Sequence, residues 1–209
     1  MERPAAGRVL WIATGNKKKL VELERLLHPL GLTLRSLADL PRPITIVEDA
    51  PTFAGNAAIK ARALAAALSP GDLALGDDSG LCVDALGGRP GVLSARYGGP
   101  GLTDAERVQK LLGELASLPA AQRTARFVCV LAVADAKGEI VAAIEDTCEG
   151  RIATAPGGGG GFGYDPVFVP DAAAGQTMAE LDAAAKDAIS HRGRALRHLA
   201  EFLRSRSTG

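Results

Sequence analysis

Residues 73–83 read Leu-Ala-Leu-Gly-Asp-Asp-Ser-Gly-Leu-Cys-Val, and no other stretch limits the possible folds so sharply. The apolar runs Leu73–Leu75 and Leu81–Val83 read as buried strands. Between them stand Asp77 and Asp78, next to Gly76, Ser79 and Gly80. An unpaired carboxylate costs several kcal/mol to bury. The expectation is therefore a break between two strands. Such a break is either a solvated turn or a place where carboxylates hold a metal ion.

The segments around it point towards a phosphate ligand. Val9–Ala13 is a short apolar run and reads as a strand. Thr14-Gly15-Asn16 ends it. A helix follows with Leu20, Leu23 and Leu27 on one face and Asn16 as N-cap. Its first turn is Lys17-Lys18-Lys19. Three cations beside the positive end of a helix dipole are unfavourable by about 0.3–1 kcal/mol each. They form either a solvated basic turn or one side of an anion site. The Walker A spacing is missing. Leu32–Leu37 alternates as a second strand, and Ile44–Val47 is a further extended run ending at Glu48-Asp49. Thr52 opens an alanine-rich helix through Asn56, Lys60 and Leu68.

After the central stretch come a strand to Leu86, a turn at Gly87–Gly91 and a loop at Ser94–Gly99. A capping box at Thr103–Glu106 starts a helix that ends before Pro119. Arg126–Ala134 and Glu139–Cys148 form a hairpin. Gly157–Gly161 reads as a flexible loop leading into Phe162-Gly163-Tyr164-Asp165-Pro166 and a short strand, Val167–Val169. Thr177–Glu180 is a second capping box. Lys186 and Ser190-His191-Arg192-Gly193 precede a last helix, and Ser205–Gly209 is a frayed tail. Strands and helices mix around an antiparallel hairpin, with no linker or repeat. This predicts an α/β (α+β) single domain over residues 1–209 with a mixed sheet and two lobes around a cleft.

Bulk properties exclude several classes. Lys and Arg number 24, as do Asp and Glu, so the net charge is +0. That argues against a broad nucleic-acid or membrane surface. Aromatic residues make up 4% of the chain, too few for base-stacking platforms of the single-strand-binding kind. No apolar span is long enough to cross a bilayer, and Met1–Arg8 carries no signal-peptide core. Cys82, Cys129 and Cys148 lie in apolar runs without metal spacing and read as reduced, buried thiols. The expected compartment is the cytoplasm.

Taken together, a basic helix start, Glu48 with Asp77 and Asp78, and a late Lys186/His191/Arg192 group fit a magnesium-bound polyphosphate. Phe162 or Tyr164 is available to stack on a base. The ordered motifs then identify a family resemblance. They are Ala13–Asn16 with Lys19, Thr52-Phe53 with Asn56-Ala57 and Lys60–Arg62, Asp77–Leu81, Gly87-Gly88 with Pro90-Gly91 and Ser94–Tyr97, Gly161–Pro166, and Ser190–Gly193. The chain resembles the inosine/xanthosine triphosphate pyrophosphatases over nearly its whole length. That resemblance implies an elongated fold with a long mixed sheet (Maf/ITPase-like), a nucleotide cleft and a homodimer. It implies Mg2+-dependent hydrolysis of ITP, dITP and XTP to the monophosphate and pyrophosphate. It further implies that Thr14, Gly15, Asn16, Lys17, Lys18 and Lys19 form a phosphate loop. Asp78 becomes general base and metal ligand, Glu48 a second metal carboxylate, and Ser79 a substrate contact. Phe162, Gly163, Tyr164, Asp165, Lys186, His191 and Arg192 become the nucleotide pocket. The chain departs from the family pattern at Lys17-Lys18, where a small residue and glycine are expected, and at Gly55, where a glutamate is expected. Pyrimidine or methylated nucleotides, as handled by Maf proteins, are the competing substrate class, and a non-catalytic nucleotide sensor is the competing role.

Overall fold

A computed structural model describes residues 9–206; Met1–Arg8 and the end of the expected tail, residues 207–209, lie outside it. The elements are β1 (Val9–Ile12), α1 (Lys17–Leu27), β2 (Thr33–Ser36), α2 (Phe53–Ala65), β3 (Leu73–Val83), α3 (Asp104–Glu114), β4 (Thr124–Asp135), β5 (Ile140–Ile152), β6 (Phe168–Pro170), α4 (Ala183–Ile189) and α5 (His191–Ser205). They build a six-stranded sheet in the order β2-β1-β3-β4-β5-β6. β1 runs parallel to both β2 and β3, whereas β5 and β6 are antiparallel, so the sheet is mixed. No strand forms at Ile44–Val47.

The chain divides into two compact units. One comprises Met1–Asp78, Val130–Glu145 and Ala195–Gly209; the other comprises Ser79–Cys129 and Asp146–Arg194. In the first unit, β1–α1–β2 winds to one side of β1 and α2–β3 returns to its other side. Chain order reverses at β1, and ligands in open α/β sheets bind beyond the strand ends at such a switch point. The loop Ala13–Asn16 leaves β1 there. Leu10, Ile12, Leu23, Leu27, Leu64 and Leu75 are among the buried side chains of this unit. The second unit packs Leu81, Val83, Leu111, Leu115, Phe127, Tyr164 and Phe168 into its own cluster. Arg123 tightens it by donating to the carbonyls of Leu115, Leu118 and Ala153 at 2.9, 3.1 and 3.1 Å.

Local signals set most element ends. Asn16, Thr52 and Thr103 cap α1, α2 and α3 as expected, and the Thr103/Glu106 capping box is complete. The Asp135 carboxylate closes the β4–β5 turn by accepting the Lys137 and Glu139 N–H groups at 2.9 and 3.1 Å.

Three expectations are corrected. Residues 73–83 are one continuous strand, not two strands around a break. Thr177–Glu180 starts no helix: Glu180 accepts the Thr177 N–H at 2.6 Å, but α4 begins at Ala183 under Asp182. Gly157–Gly161 is tied down, with Gly157 N–H on Pro166 O at 2.8 Å and Gly160 N–H on Ala179 O at 3.0 Å. Glycine at 158 is obligatory there, because a Cβ would lie 2.6 Å from the Ala179 carbonyl.

Candidate active site

The strand β3 stays unbroken because each of its carboxylates has a cationic partner. Consecutive strand residues face opposite sides of a sheet. Asp77, 1% exposed, meets Lys19 of α1 at 2.7 Å. Asp78, 6% exposed, meets Lys60 of α2 at 2.8 Å. The two aspartates therefore do not act as one metal-binding pair. Asp77 anchors Lys19 at the start of α1, and Asp78 belongs to a separate cluster.

The loop predicted to bind phosphate, residues 14–19, is built from its own side chains. The Thr14 hydroxyl accepts the Asn16 N–H at 3.1 Å, and the Asn16 side chain accepts the Lys18 and Lys19 N–H groups at 3.0 and 3.2 Å. A Cβ at Gly15 would face open space. Lys17 and Lys18 are exposed. Lys19 is braced by Asp77.

Around Asp78, Lys60 Nζ lies 2.7 Å from Glu48 Oε2, 2.8 Å from Asp78 Oδ1 and 3.1 Å from the Asp77 carbonyl. Glu48, predicted as a metal carboxylate, does converge with Asp78. Burial pushes the Asp78 carboxyl above its ordinary 3.8, against the opposing pull of Lys60 and Lys19. Burial acts to lower the Lys60 ammonium, but the facing Asp78 and Glu48 carboxylates carry it above its ordinary 10.5. Asn56, 1% exposed, donates to Asp78 Oδ2 at 3.4 Å. Gly76 permits this assembly: a Cβ there would strike the Ala57 carbonyl and lie 3.0 Å from Lys60 Cβ.

Two carboxylates that share one cation are a donor set suited to a hard divalent ion. Among the described residues, no group of three or more His, Cys, Asp or Glu side chains could hold a metal. Mg2+ characteristically uses one or two carboxylates and completes its shell with water and substrate phosphates. Glu48 and Asp78 fit such an ion.

The second unit holds the other predicted set. Phe162 is half-buried, with Lys186 Nζ 4.9 Å and Arg192 Cζ 5.8 Å from its ring centroid. Asp165 braces this group: its Oδ2 accepts the Phe162 N–H at 2.9 Å and Lys186 Nζ at 2.7 Å. Gly161, at φ +69°, lies so close that a Cβ would run into the Asp165 carboxylate. Asp104 takes the Gly163 N–H at 2.9 Å. Arg192 donates to the Ser79 hydroxyl at 3.2 Å.

Two predicted pocket residues also make core contacts. Tyr164 is 4% exposed within the hydrophobic cluster, and its hydroxyl donates to the Ser94 carbonyl at 3.0 Å. It is no stacking platform, which leaves Phe162. His191 stacks face-on against Phe127, with centroids 4.7 Å apart. Asp77, expected among the carboxylates, has a supporting place beside Lys19, whereas Asn56 and Lys60 were given no role in the predicted site. Lys60 and Asn56 stand four residues apart on α2, one turn, and that spacing beside a carboxylate-bearing strand was the available signal.

Phosphate-side residues thus gather in one unit and aromatic-cation residues in the other, joined in the chain at Asp78–Ser79. Known proteins resemble this chain over most of its length. The Ham1 family profile matches residues 10–202. A dITP/XTP pyrophosphatase of Shouchella clausii is 50% identical over 195 residues, which covers 93% of this chain and 96% of that protein. A dITP/XTP pyrophosphatase of Geobacillus kaustophilus is 51% identical over 191 residues, 91% of each chain. A solved HAM1 protein from Coxiella burnetii superposes with a TM-score of 0.85 at 40% identity, covering 95% of this chain and 99% of that one. With its profile matched almost end to end and half of its residues shared with such relatives, the chain belongs to the Ham1 family.

Proposed function

We propose that this protein is a nucleoside-triphosphate pyrophosphatase. It hydrolyses deaminated purine nucleotides, such as dITP, ITP and XTP, to the monophosphate and pyrophosphate. The observation that carries the reading is the convergence of Glu48 and Asp78 on Lys60 Nζ, at 2.7 and 2.8 Å. The names of the relatives, dITP/XTP pyrophosphatase, supply the substrate class.

Asp78 takes a proton from the attacking water, whose oxygen bonds the α-phosphorus while the bridging bond to the β-phosphate breaks. The electron pair of that bond leaves with pyrophosphate. A carboxylate raised by burial is a better base than a solvated one. Lys19, held in place by Asp77, holds the phosphates at the start of α1. Glu48 and Asp78 would hold Mg2+, which when bound supplies positive charge to the phosphate oxygens. Phe162 stacks on the base. The Phe162 and Gly163 N–H groups already have partners in Asp165 and Asp104. Arg192 has five N–H donors, one of them on Ser79, and donates to the six-position oxo group, a position where adenine's amino group would face donor with donor.

The reading takes residues 1–209 as one catalytic domain working as a homodimer in the cytoplasm. Among the described residues, no helix is long and apolar enough to cross a membrane. The free cysteines Cys82, Cys129 and Cys148 suit a reducing compartment. Pyrophosphate release from ITP, dITP, XTP, ATP, dTTP and UTP, with and without Mg2+, tests the function. Mg2+-dependent release from the first three is expected; faster release from dTTP or UTP would overturn it.

A further inference from the structure

We infer that Asn56 is a positioning residue: one buried side-chain amide orients the Asp78 carboxylate and fastens to it the segment carrying Glu48. The inference rests on the pyrophosphatase reading and deepens it. Asn56 is 1% exposed, so both ends of its amide need partners. Its Oδ1 accepts the Ala50 N–H at 3.0 Å. An amide N–H can only donate, so the oxygen end is assigned without ambiguity. The NH2 end therefore faces Asp78 Oδ2, at 3.4 Å. One helical turn later, Lys60 donates to the other oxygen, Oδ1, at 2.8 Å. Helix α2 thus grips both oxygens of a single carboxylate from positions 56 and 60. That grip removes the rotation about the carboxyl bond that would otherwise blur the aim of the base.

The other arm reaches Glu48. Residues 43–50 have no regular secondary structure. Ala50 stands two residues beyond Glu48, and its N–H is held by Asn56. The same amide thereby sets the distance between the two carboxylates that meet Lys60. A purely structural asparagine would have only the Ala50 N–H to satisfy. The two roles make different predictions for isosteric changes.

Asn56→Asp keeps an acceptor for Ala50 and replaces the NH2 donor with oxygen. Asn56→Leu removes both arms with little change in volume. Misplacement by about an ångström can cost a hundredfold in rate. Both variants are expected to lose roughly 10- to 100-fold in kcat on dITP, with KM within about threefold. Nucleotide binding in chelator should be unchanged. Mn2+ binding to the nucleotide-free protein, followed by electron paramagnetic resonance, should weaken severalfold in Asn56→Leu. A kcat within threefold of wild type in Asn56→Asp, or a loss confined to KM, would overturn the inference. If Asn56→Leu fails to fold, Asn56→Asp carries the test, because it retains the Ala50 bond. Wild-type pyrophosphate release in the same assay reports separately on the pyrophosphatase reading. Should that fail, chelator nucleotide binding and Mn2+ affinity still read the role of Asn56.

Discussion

Asp77 and Asp78 are chemically identical neighbours, and the strand gives them different work. The strand turns Asp77 towards Lys19 and Asp78 towards Lys60 and Asn56. Asp78→Asn keeps the shape and most hydrogen-bonding geometry while removing the proposed base. General-base assistance is worth about 10²–10⁴-fold, so turnover should fall at least about a hundredfold while ITP still binds. Calorimetric binding beside a pyrophosphate-release assay checks this; near-normal turnover would remove Asp78 from the catalytic role. Protonation gives a second handle. Burial raises the Asp78 carboxyl above 3.8, so the metal-free protein binds that proton more tightly than a solvated aspartate would. The base works only when ionised, so acidification disarms it at a higher pH than an ordinary carboxylate. Carbon-13 NMR of the metal-free protein should place the Asp78 titration above 3.8. Added Mg2+ should move it down, since a bound cation favours the ionised form.

Strand β3 and helix α2 are the elements that turn these side chains into a site. Gly76 is where they touch: a Cβ there would collide with the Ala57 carbonyl and lie 2.9 Å from the Ala61 N. Gly76→Ala would force α2 away, and Lys60 and Asn56 would move with it. Overpacking of this kind typically costs about 1–3 kcal/mol. Urea unfolding should show a loss of that size, together with a fall in turnover; unchanged stability would show that the helix can yield. This contact also explains what was legible in the sequence. The caps Asn16, Thr52 and Thr103 were readable because each cap bonds its own first turn. The continuity of β3 was not readable. Glycine next to two carboxylates is ordinarily a turn signal, and the compensating lysines stand 58 and 18 residues away. The second capping box misled for a related reason: the Thr177–Glu180 bond forms, but a turn can use it without a helix following.

At the scale of the whole molecule, the motifs read as a phosphate loop and as a base pocket fall into different compact units, with the boundary between Asp78 and Ser79. Pattern alone placed Phe162, Lys186 and Arg192 together but also admitted Tyr164 and His191. Only the fold shows Tyr164 packed within the hydrophobic cluster and His191 stacked on Phe127. The division predicts that two kinds of variant separate cleanly. Removing Asp78 lowers turnover on every nucleotide alike, because the reacting phosphate is common to all. Removing Arg192 acts on the base. A hydrogen bond from a charged group is worth about 1.5–3 kcal/mol, so Arg192→Ala should narrow the ITP-to-ATP ratio of kcat/KM by about 10- to 150-fold. It should do so mainly by weakening ITP, with little change for ATP. Arg192 also donates to Ser79, so Ser79→Ala is the necessary companion. If the ratio collapsed equally in Ser79→Ala, Arg192 would act by positioning Ser79 rather than by reading the base. If it survived in Arg192→Ala, base reading would belong to Lys186, whose ammonium lies 4.9 Å from the centroid of the same Phe162 ring.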